Sequence, residues 1–303
     1  MRFGCMLPTL GPLGGPDALI RVALRAEALD YHSAWVADRL LYPLAPRTPY
    51  PVTPDGSLPE YFKRCMDPVE ALTFVAAQTR RITLGTSVLN MPFYQPVVLA
   101  RRLATLDVLS GGRLRVGLGQ AWSADELEAV GANPQARGSR ADEFVQVLRA
   151  MWGTDPVEFQ GHHFQVARSI VGLKPVQRPH PPIYMAAYVP PALRRTASLA
   201  DGWLPSSLPI PAVGQMVTQL HALTRHAGRD PARLEVIYMA GSQVTSAPLD
   251  EGKRGVLCGS AAQVRADVQR LRDAGVTEII GWSSGDTADA MLASLARFRE
   301  AAG

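Results

Sequence analysis

The sequence has few cysteines and lacks a hydrophobic run long enough to cross a membrane. Its 303 residues include three cysteines, Cys5, Cys65 and Cys258, which lie far apart in the chain. Their odd number and wide spacing argue against a disulfide framework or a zinc knuckle and are typical of the reducing cytoplasm. The short apolar start is interrupted by Pro8 and Pro12, so it does not match a signal peptide. We therefore expect a cytoplasmic protein without a membrane segment.

The sequence also lacks clusters of charge and of metal ligands. The formal net charge is +4, but the basic residues form no run, which argues against nucleic-acid binding. The histidines lie at no ligand spacing from a carboxylate or a cysteine, so we expect no catalytic metal. They are His32, His162, His163, His180, His221 and His226. The mild basicity would suit an anionic small ligand, and a charge without functional meaning is the equal alternative. With 47% hydrophobic residues, the chain is long enough to bury a large core.

The stretch from Ala104 to Trp122 predicts a helix, a tight turn and a buried strand in direct succession. Leu99, Leu103 and Leu106 recur with helical spacing and form one buried stripe. The pair Gly111-Gly112 ends this helix, because glycine adopts the left-handed conformation at little cost. The apolar run Leu114–Leu118 is then typical of a strand that is covered on both faces.

The strand ends in small residues, and a helix follows at once. We expect Gly117 and Gly119 to let a ligand approach the backbone. Ser123 and Glu126 match a capping box that opens the next helix. The two glycines are only part of a dinucleotide-binding motif, because Trp122 occupies the third glycine position and three strand–helix units precede it.

Strand-like and helix-like segments alternate along the chain, and this alternation predicts a parallel sheet. Eight such units favour a closed (β/α)₈ TIM barrel with insertions, of fold class α/β, over an open sheet. The predicted strands are Arg2–Leu7, Ser33–Ala37, Ile82–Asn90, Leu114–Leu118, Ile183–Ala187, Gly202–Ser206, Leu234–Val244 and Val276–Trp282.

Two segments are predicted as insertions into a single domain spanning residues 1–303. The proline-rich segment 41–64 is too long for an ordinary connection, and we expect it to form a lid over the substrate pocket. The aromatic residues assigned to this role are Tyr42, Tyr50, Tyr61 and Phe62; packing at the surface or in a dimer contact is the alternative. In segment 157–180, alternating apolar residues around Gly161 predict a β-hairpin.

The active site of such a barrel lies at the C-terminal ends of its strands. These ends carry mostly small, amide or aromatic residues, with Asp38 and Arg39 as the charged pair. Neither a glycosidase pair of carboxylates nor a Ser-His-Asp set is present there. Ends of this kind suit an organic cofactor that supplies the reactivity itself. The alternatives are structural roles for these residues: Asp38 as a turn residue, Arg39 as its ion-pair partner and Gln120 as a polar residue at the rim.

Several segments resemble the luciferase-like monooxygenase superfamily over essentially the whole chain. They are LATLDVLSGGRLRVGLG followed by W-x-x-x-E, then KPVQRPHPPIYMAA, and then ALRRTASLADGW. The insertion containing Pro49-Tyr50-Pro51 and the segment RGSRADEF are most similar to the actinobacterial branch of deazaflavin (F420)-dependent oxidoreductases.

The resemblance implies a (β/α)₈ barrel, a homodimer, and a cofactor at the barrel mouth, either coenzyme F420 or FMN. It also implies a non-prolyl cis peptide in the third strand, which by position would join Ser87 and Val88. The cofactor contacts of the family map onto Asp38, Ser87, Val88, Asn90, Leu118, Gly119, Gln120, Ser123, Ala186, Ala187, Val189 and Pro190.

The sequence departs from the resemblance at two positions that carry chemistry. Many deazaflavin members have a histidine where this chain has Arg39, and some have a glutamate where it has Gln120. An arginine stays protonated and cannot act as an ordinary base, so we do not expect oxidation of a sugar phosphate. With Asp38, Arg39 and Gln120 as the catalytic candidates, we expect hydride transfer that reduces an unsaturated bond. The alternatives are FMN-dependent monooxygenation with O₂ and a flavin-binding protein without activity.

Overall fold

The computed structural model describes residues 1–283 and 285–303. Its strands, in chain order, are β1 (Arg2–Met6), β2 (Ser33–Val36), β3 (Thr83–Thr86), β4 (Leu89–Asn90), β5 (Leu114–Gly119), β6 (Val157–Gln160), β7 (Gln165–Ser169), β8 (Ile183–Met185), β9 (Gly202–Trp203), β10 (Glu235–Thr245), β11 (Cys258–Ser260) and β12 (Glu278–Ser283).

The helices surround this set of strands. They are α1 (Pro16–Ala28), α2 (Pro68–Gln78), α3 (Pro96–Ser110), α4 (Ala124–Ala129), α5 (Arg137–Trp152), α6 (Pro190–Leu199), α7 (Ile210–His226), α8 (Ala261–Asp273) and α9 (Ala288–Ala302), with short 3₁₀ turns at Glu60–Lys63, Met91–Phe93 and Pro231–Arg233. Among the described residues, no helix combines the length and apolar character needed to cross a membrane.

Parallel pairing closes the sheet on itself. The order is β1, β2, β3 with β4, β5, β8, β9, β10 and β12, and β12 pairs with β1 through Phe3 and Ile279. The predicted (β/α)₈ barrel is therefore confirmed. The predicted hairpin is present as the antiparallel pair of β6 and β7, which stands apart from the barrel. The short strand β11, which sequence patterning missed, extends the sheet outside the ring by pairing with the end of β10.

The interior of the barrel is apolar near the mouth and charged near the base. Trp35, Tyr184 and Ile280 belong to the apolar cluster that fills the centre of the barrel. Below it, Arg115 donates to Glu278 at 2.5 Å and to Glu235 at 2.7 Å. This pairing satisfies charges that would otherwise be costly to bury.

One extra residue in the third barrel strand creates a β-bulge beside the mouth. Gly85 pairs with Arg115, and Leu89 pairs with Leu118, so residues 86–88 face only residues 116–117 of β5. Thr86 covers the gap: its hydroxyl accepts from the Gly117 amide and donates to the Gly117 carbonyl, both at 2.9 Å. An extra residue of this kind bends the strand locally and re-aims its side chains.

Gly117 and Gly119 serve this bulge, which corrects the expectation that they leave room for a ligand. A Cβ at Gly117 would lie 1.9 Å from the Thr86 carbonyl oxygen, and one at Gly119 would lie 2.4 Å from the Val88 side chain. The space beside both glycines is therefore filled by the protein itself. Gly111 does take the predicted left-handed conformation, with φ of 70° at the end of α3.

Replacing Gly117 with alanine should therefore destabilise the protein by about 2–4 kcal/mol, because a backbone carbonyl cannot move aside as a flexible side chain can. Urea unfolding followed by tryptophan fluorescence measures the change. Gly241→Ala is the matched control, because nothing lies within 4 Å of a Cβ at that strand position. Equal stability losses in the two variants would contradict the close-approach explanation.

Candidate active site

The floor of the barrel mouth is apolar. Ala37, Val88, Met239 and Trp282 come from four different regions of the ring and pack on the apolar cluster that fills the barrel. The peptide bond between Ser87 and Val88 is cis, as the family resemblance implies. The Ser87 hydroxyl lies 3.4 Å from the Met239 sulfur, so the bulge touches the opposite side of the mouth. The floor is thus a surface on which a flat ring can rest.

Asp38 ties the end of β2 to the end of β4. Its carboxylate accepts a hydrogen bond from the backbone amide of Asn90 at 2.9 Å. The side-chain amide of Asn90 donates in return to the backbone carbonyl of Asp38 at 3.2 Å. Asp38 is only 6% exposed. Burial raises the pKa of Asp38 to about 7, although hydrogen bonds from Asn90 and Tyr94 oppose the shift. A carboxyl group that titrates near neutrality can hold or release a proton at working pH.

Arg39 lies in an aromatic enclosure. Its guanidinium lies 4.8 Å from the ring centres of both Phe62 and Trp122. Its Nη1 lies 3.0 Å from Glu126 Oε2, and its side chain is 6% exposed. Within the described part of the chain, Nε and Nη2 have no hydrogen-bond partner. The ion pair with Asp38 that the sequence left open is thus replaced by a pair with Glu126.

Glu126 does not complete the predicted capping box. Ser123 is the N-cap of α4, and its hydroxyl accepts from the Glu126 amide at 3.4 Å. The Glu126 carboxylate, however, accepts from the Leu40 amide at 2.8 Å and from the Leu41 amide at 3.4 Å. The prediction that Ser123 caps α4 is confirmed. The prediction that the Glu126 side chain caps in return is wrong, because its carboxylate binds the backbone amides of Leu40 and Leu41 instead.

Segment 41–64 is attached to α4 at a second place. Arg47 Nε donates to Asp125 at 2.8 Å, and Arg47 also pairs with Glu128. The Thr48 hydroxyl accepts from the amide of Ala124 at 3.1 Å. The first turn of α4 therefore holds both the start and the middle of this segment.

A cavity of about 360 Å³ opens beside the floor, and we name it the polar cavity. Segment 41–64 contributes Tyr50 and Tyr61 to its wall, whereas Phe62 packs on Arg39 and Tyr42 donates to the Leu58 carbonyl. The barrel contributes hydroxyl, amide, thiol and apolar groups. They are Ser206, Ser207, Met239, Ala240, Ser242, Gln243, Cys258 and Trp282.

The predicted cofactor contacts differ in how accessible they are. Leu118, Gly119, Ser123 and Ala187 are buried, Ser87 lies at the limit of burial, Asn90, Gln120 and Ala186 are half-buried, and Val189 and Pro190 are exposed. The Ala187 carbonyl accepts from the Trp203 indole at 2.8 Å, so that alanine serves packing. Gln120 donates to the Arg137 carbonyl at the long distance of 3.5 Å, which leaves its amide available to a ligand.

Sequence reasoning missed the contribution of β10. The segment from Met239 to Gln243 lines the polar cavity, yet the predicted strand ran on to Val244 without a recognisable end. The strand in fact continues past the mouth and pairs with β11, so the pattern of the strand does not mark where it leaves the barrel. Gly241, in the middle of this strand, was the available signal.

A larger cavity of about 490 Å³ lies at the opposite mouth, at the N-terminal ends of the strands. Among its charged groups, Arg115 pairs with Glu235 and Glu278. In a barrel of this kind the N-terminal face supports stability and the C-terminal face carries the chemistry. Among the described residues, no group of three or more His, Cys, Asp or Glu could hold a metal ion.

Comparison with known proteins shows similar chains among bacterial proteins. An uncharacterised protein of Mycobacterium tuberculosis is 32% identical over 76% of this chain and 80% of its own length. The F420-dependent glucose-6-phosphate dehydrogenase of Amycolatopsis mediterranei is 31% identical over 64% of this chain and 54% of the enzyme. The crystal structure of monooxygenase RslO1 from Streptomyces bottropensis superimposes with a TM-score of 0.82 at 22% identity, covering 99% of this chain and 98% of that one.

The family profile adds the decisive match. The profile described as luciferase-like monooxygenase covers residues 1–251, which is most of the chain and includes Asp38, α4 and the floor residues Ala37, Val88 and Met239. Together with the closed barrel, this match confirms the resemblance stated from the sequence. The chain belongs to the luciferase-like monooxygenase family of oxidoreductases.

Proposed function

We propose that this protein transfers hydride between coenzyme F420 and a small organic substrate, and that the net reaction reduces an unsaturated bond. The observation that carries the proposal is the make-up of the mouth, an apolar floor with the buried carboxyl group of Asp38 beside it. Such a surface can hold a planar ring but offers little acid–base chemistry, so the cofactor supplies the reactivity. The similarity to an F420-dependent dehydrogenase supports the choice of cofactor.

The residues at the mouth fit a deazaflavin. The ring would rest against the bulge at Ser87 and Val88, with the side chains of Asn90 and Gln120 at its edge. The phosphate-bearing tail would run past Ala186 to Val189 and Pro190, where α6 begins. The first two residues of this helix, Pro190 and Pro191, carry no backbone N–H, so the positive end of the helix dipole is the feature that suits an anionic group. Bound F420 supplies the carbon that exchanges hydride.

Asp38 would handle the proton that accompanies the hydride. Reduction of a C=C or C=O bond needs one hydride and one proton, and a carboxyl group with a pKa near 7 is suited to this exchange. Leu118, Gly119, Ser123 and Ala187 are buried, so we assign them to the support of the site. Contacts from these residues to the cofactor would come from the backbone.

The substrate we propose is uncharged and carries oxygen or nitrogen groups. The described residues that line the polar cavity include several hydroxyls and an amide but no charged side chain. A phosphate group would find no cationic partner there, which agrees with the absence of the family's histidine and glutamate at Arg39 and Gln120. Because Arg39 is enclosed, we assign it to the lid rather than to the reacting atoms.

We also propose that segment 41–64 acts as the lid. Tyr50 and Tyr61 form part of the wall of the polar cavity, and α4 holds the segment through Glu126 and Asp125. Opening would break these contacts and expose the cavity. Closure would exclude water from the reacting centre and so strengthen the electrostatic interactions there.

Titration with each cofactor tests the proposal. We expect F420 to quench the intrinsic tryptophan fluorescence with a dissociation constant of about 1 μM or below, and FMN to bind at least about tenfold more weakly. Asn90→Ala should weaken F420 binding, whereas Ser169→Ala, on the separate hairpin, should not. Tight FMN binding together with oxygen uptake by the reduced complex would overturn the proposal in favour of monooxygenation.

Asp38→Asn should change how stability depends on pH. The pKa of Asp38 is raised above its unfolded value of 3.8, so the native state binds the proton more tightly and its contribution to stability is lost as pH rises to about 7. As the pH rises from about 4 to about 7, the deprotonation of Asp38 lowers the free energy of unfolding by up to about 1.4 kcal/mol per pH unit. Urea unfolding across this range should show a flatter pH dependence for Asp38→Asn than for the wild type. Asp250→Asn, at an exposed loop, should retain the wild-type slope, and identical slopes in all three proteins would contradict the assignment.

Glu126→Gln should loosen the lid more than Glu128→Gln does. Glu126 is buried and holds Arg39 and two backbone amides, whereas Glu128 is exposed and reaches only Arg47, and exposed ion pairs contribute little. Limited trypsin digestion measures lid opening as the rate of cleavage after Arg47. We expect about a tenfold faster rate for Glu126→Gln and less than about twofold for Glu128→Gln. Equal rates would show that the buried pair does not hold the lid.

A further inference from the structure

A second cavity, which we name the side cavity, adjoins the polar cavity. It measures about 320 Å³ and lies at the C-terminal ends of β1 and β12, on the same face as the proposed site. Tyr61 and Trp282 line both cavities, and their rings meet edge to face with centres 5.4 Å apart. The two cavities are therefore compartments separated by one pair of aromatic side chains.

Both cavities have mostly apolar walls, and they differ in the polar groups that interrupt those walls, which in the side cavity include Ser283. The wall of the side cavity is formed mainly by Met6, Leu7, Leu10, Leu13 and Met291, with proline rings between them. Asp286 is the charged group among the described residues that line it. The polar cavity, by contrast, offers serine hydroxyls and the Gln243 amide.

The side cavity is a partly open cleft that is large enough for part of a small organic molecule. Covering the apolar surface of such a cleft with an apolar group is favourable because that surface is removed from water. A side cavity of about 320 Å³, open to the mouth through an aromatic partition, is therefore suited to a ligand.

The partition can move with the lid. Tyr61 belongs to the 3₁₀ turn Glu60–Lys63 within segment 41–64, whereas Trp282 belongs to β12 of the rigid barrel. A displacement of the lid would shift one ring of the pair and leave the other in place. The two compartments would then form one elongated site with a polar end and an apolar end.

We propose that the side cavity binds the apolar part of the substrate, an alkyl chain or hydrocarbon ring, while the oxygen-bearing part lies in the polar cavity. The inference rests on the proposed function, because it extends the substrate site of that reaction. It identifies the substrate as a neutral amphipathic molecule. Leu13 and Met291 would then determine how long an apolar group is accepted.

Binding of N-phenyl-1-naphthylamine, a neutral apolar dye that fluoresces in apolar sites, tests the proposal directly. The wild type should bind the dye, and Leu13→Trp, which fills the side cavity, should bind it at least about tenfold more weakly. Leu292→Trp is the matched control: it makes the same substitution at a half-buried leucine of α9 that does not line the cavity. Equal affinity in wild type and Leu13→Trp would overturn the proposal.

Competition by a series of straight-chain primary alcohols provides a test that needs no variant. Affinity should rise about threefold to fourfold with each added methylene and then level off when the side cavity is full. A flat series, or a steady rise without a plateau, would overturn the proposal. The F420 titration is independent of both readouts, so failure to bind F420 would remove the proposed reaction, whereas failure to bind dye and alcohols would remove only the side cavity.

Discussion

The mouth of this barrel depends on the close approach of Thr86 to Gly117. Three residues of the third strand face two residues of β5, and the surplus is absorbed only because Gly117 has no Cβ. The displaced strand then places Val88 on the floor and Asn90 opposite Asp38. A steric constraint between two backbones thus determines which side chains a cofactor would meet.

Charge is distributed in the barrel so that the reacting region holds little of it. At the base, Arg115 is paired with Glu235 and Glu278. Above the mouth, Arg39 is paired with Glu126 and enclosed by aromatic rings. Between these two pairs lies the apolar floor, and burial beside it raises the pKa of Asp38.

Local patterns in the sequence predicted the fold well because each strand–helix unit of the barrel is formed by residues that are adjacent in the chain. The stripe of leucines before Gly111 and the apolar run after it identify a helix and a strand without knowledge of the rest of the chain. Contacts between distant segments could not be obtained in this way. Glu126 matches a capping box by spacing, but it binds the amides of Leu40 and Leu41, more than 80 residues away. The glycines of β5 were misinterpreted for the same reason, since their neighbour is Thr86 of another strand.

If segment 41–64 acts as the proposed lid, it would link the binding of substrate to the enclosure of Arg39. Neighbouring residues Tyr61 and Phe62 face different partners: Tyr61 meets Trp282 between the two cavities, and Phe62 covers Arg39. Because they are consecutive in one 3₁₀ turn, one cannot be displaced far without the other. A substrate that parts Tyr61 from Trp282 would therefore also disturb the cover over Arg39, whose Nε and Nη2 have no partner in the described part of the chain. In this arrangement the length of the apolar group of the substrate would affect the position of the lid through Tyr61 and Phe62. No charged group in the cavity would be needed for this effect.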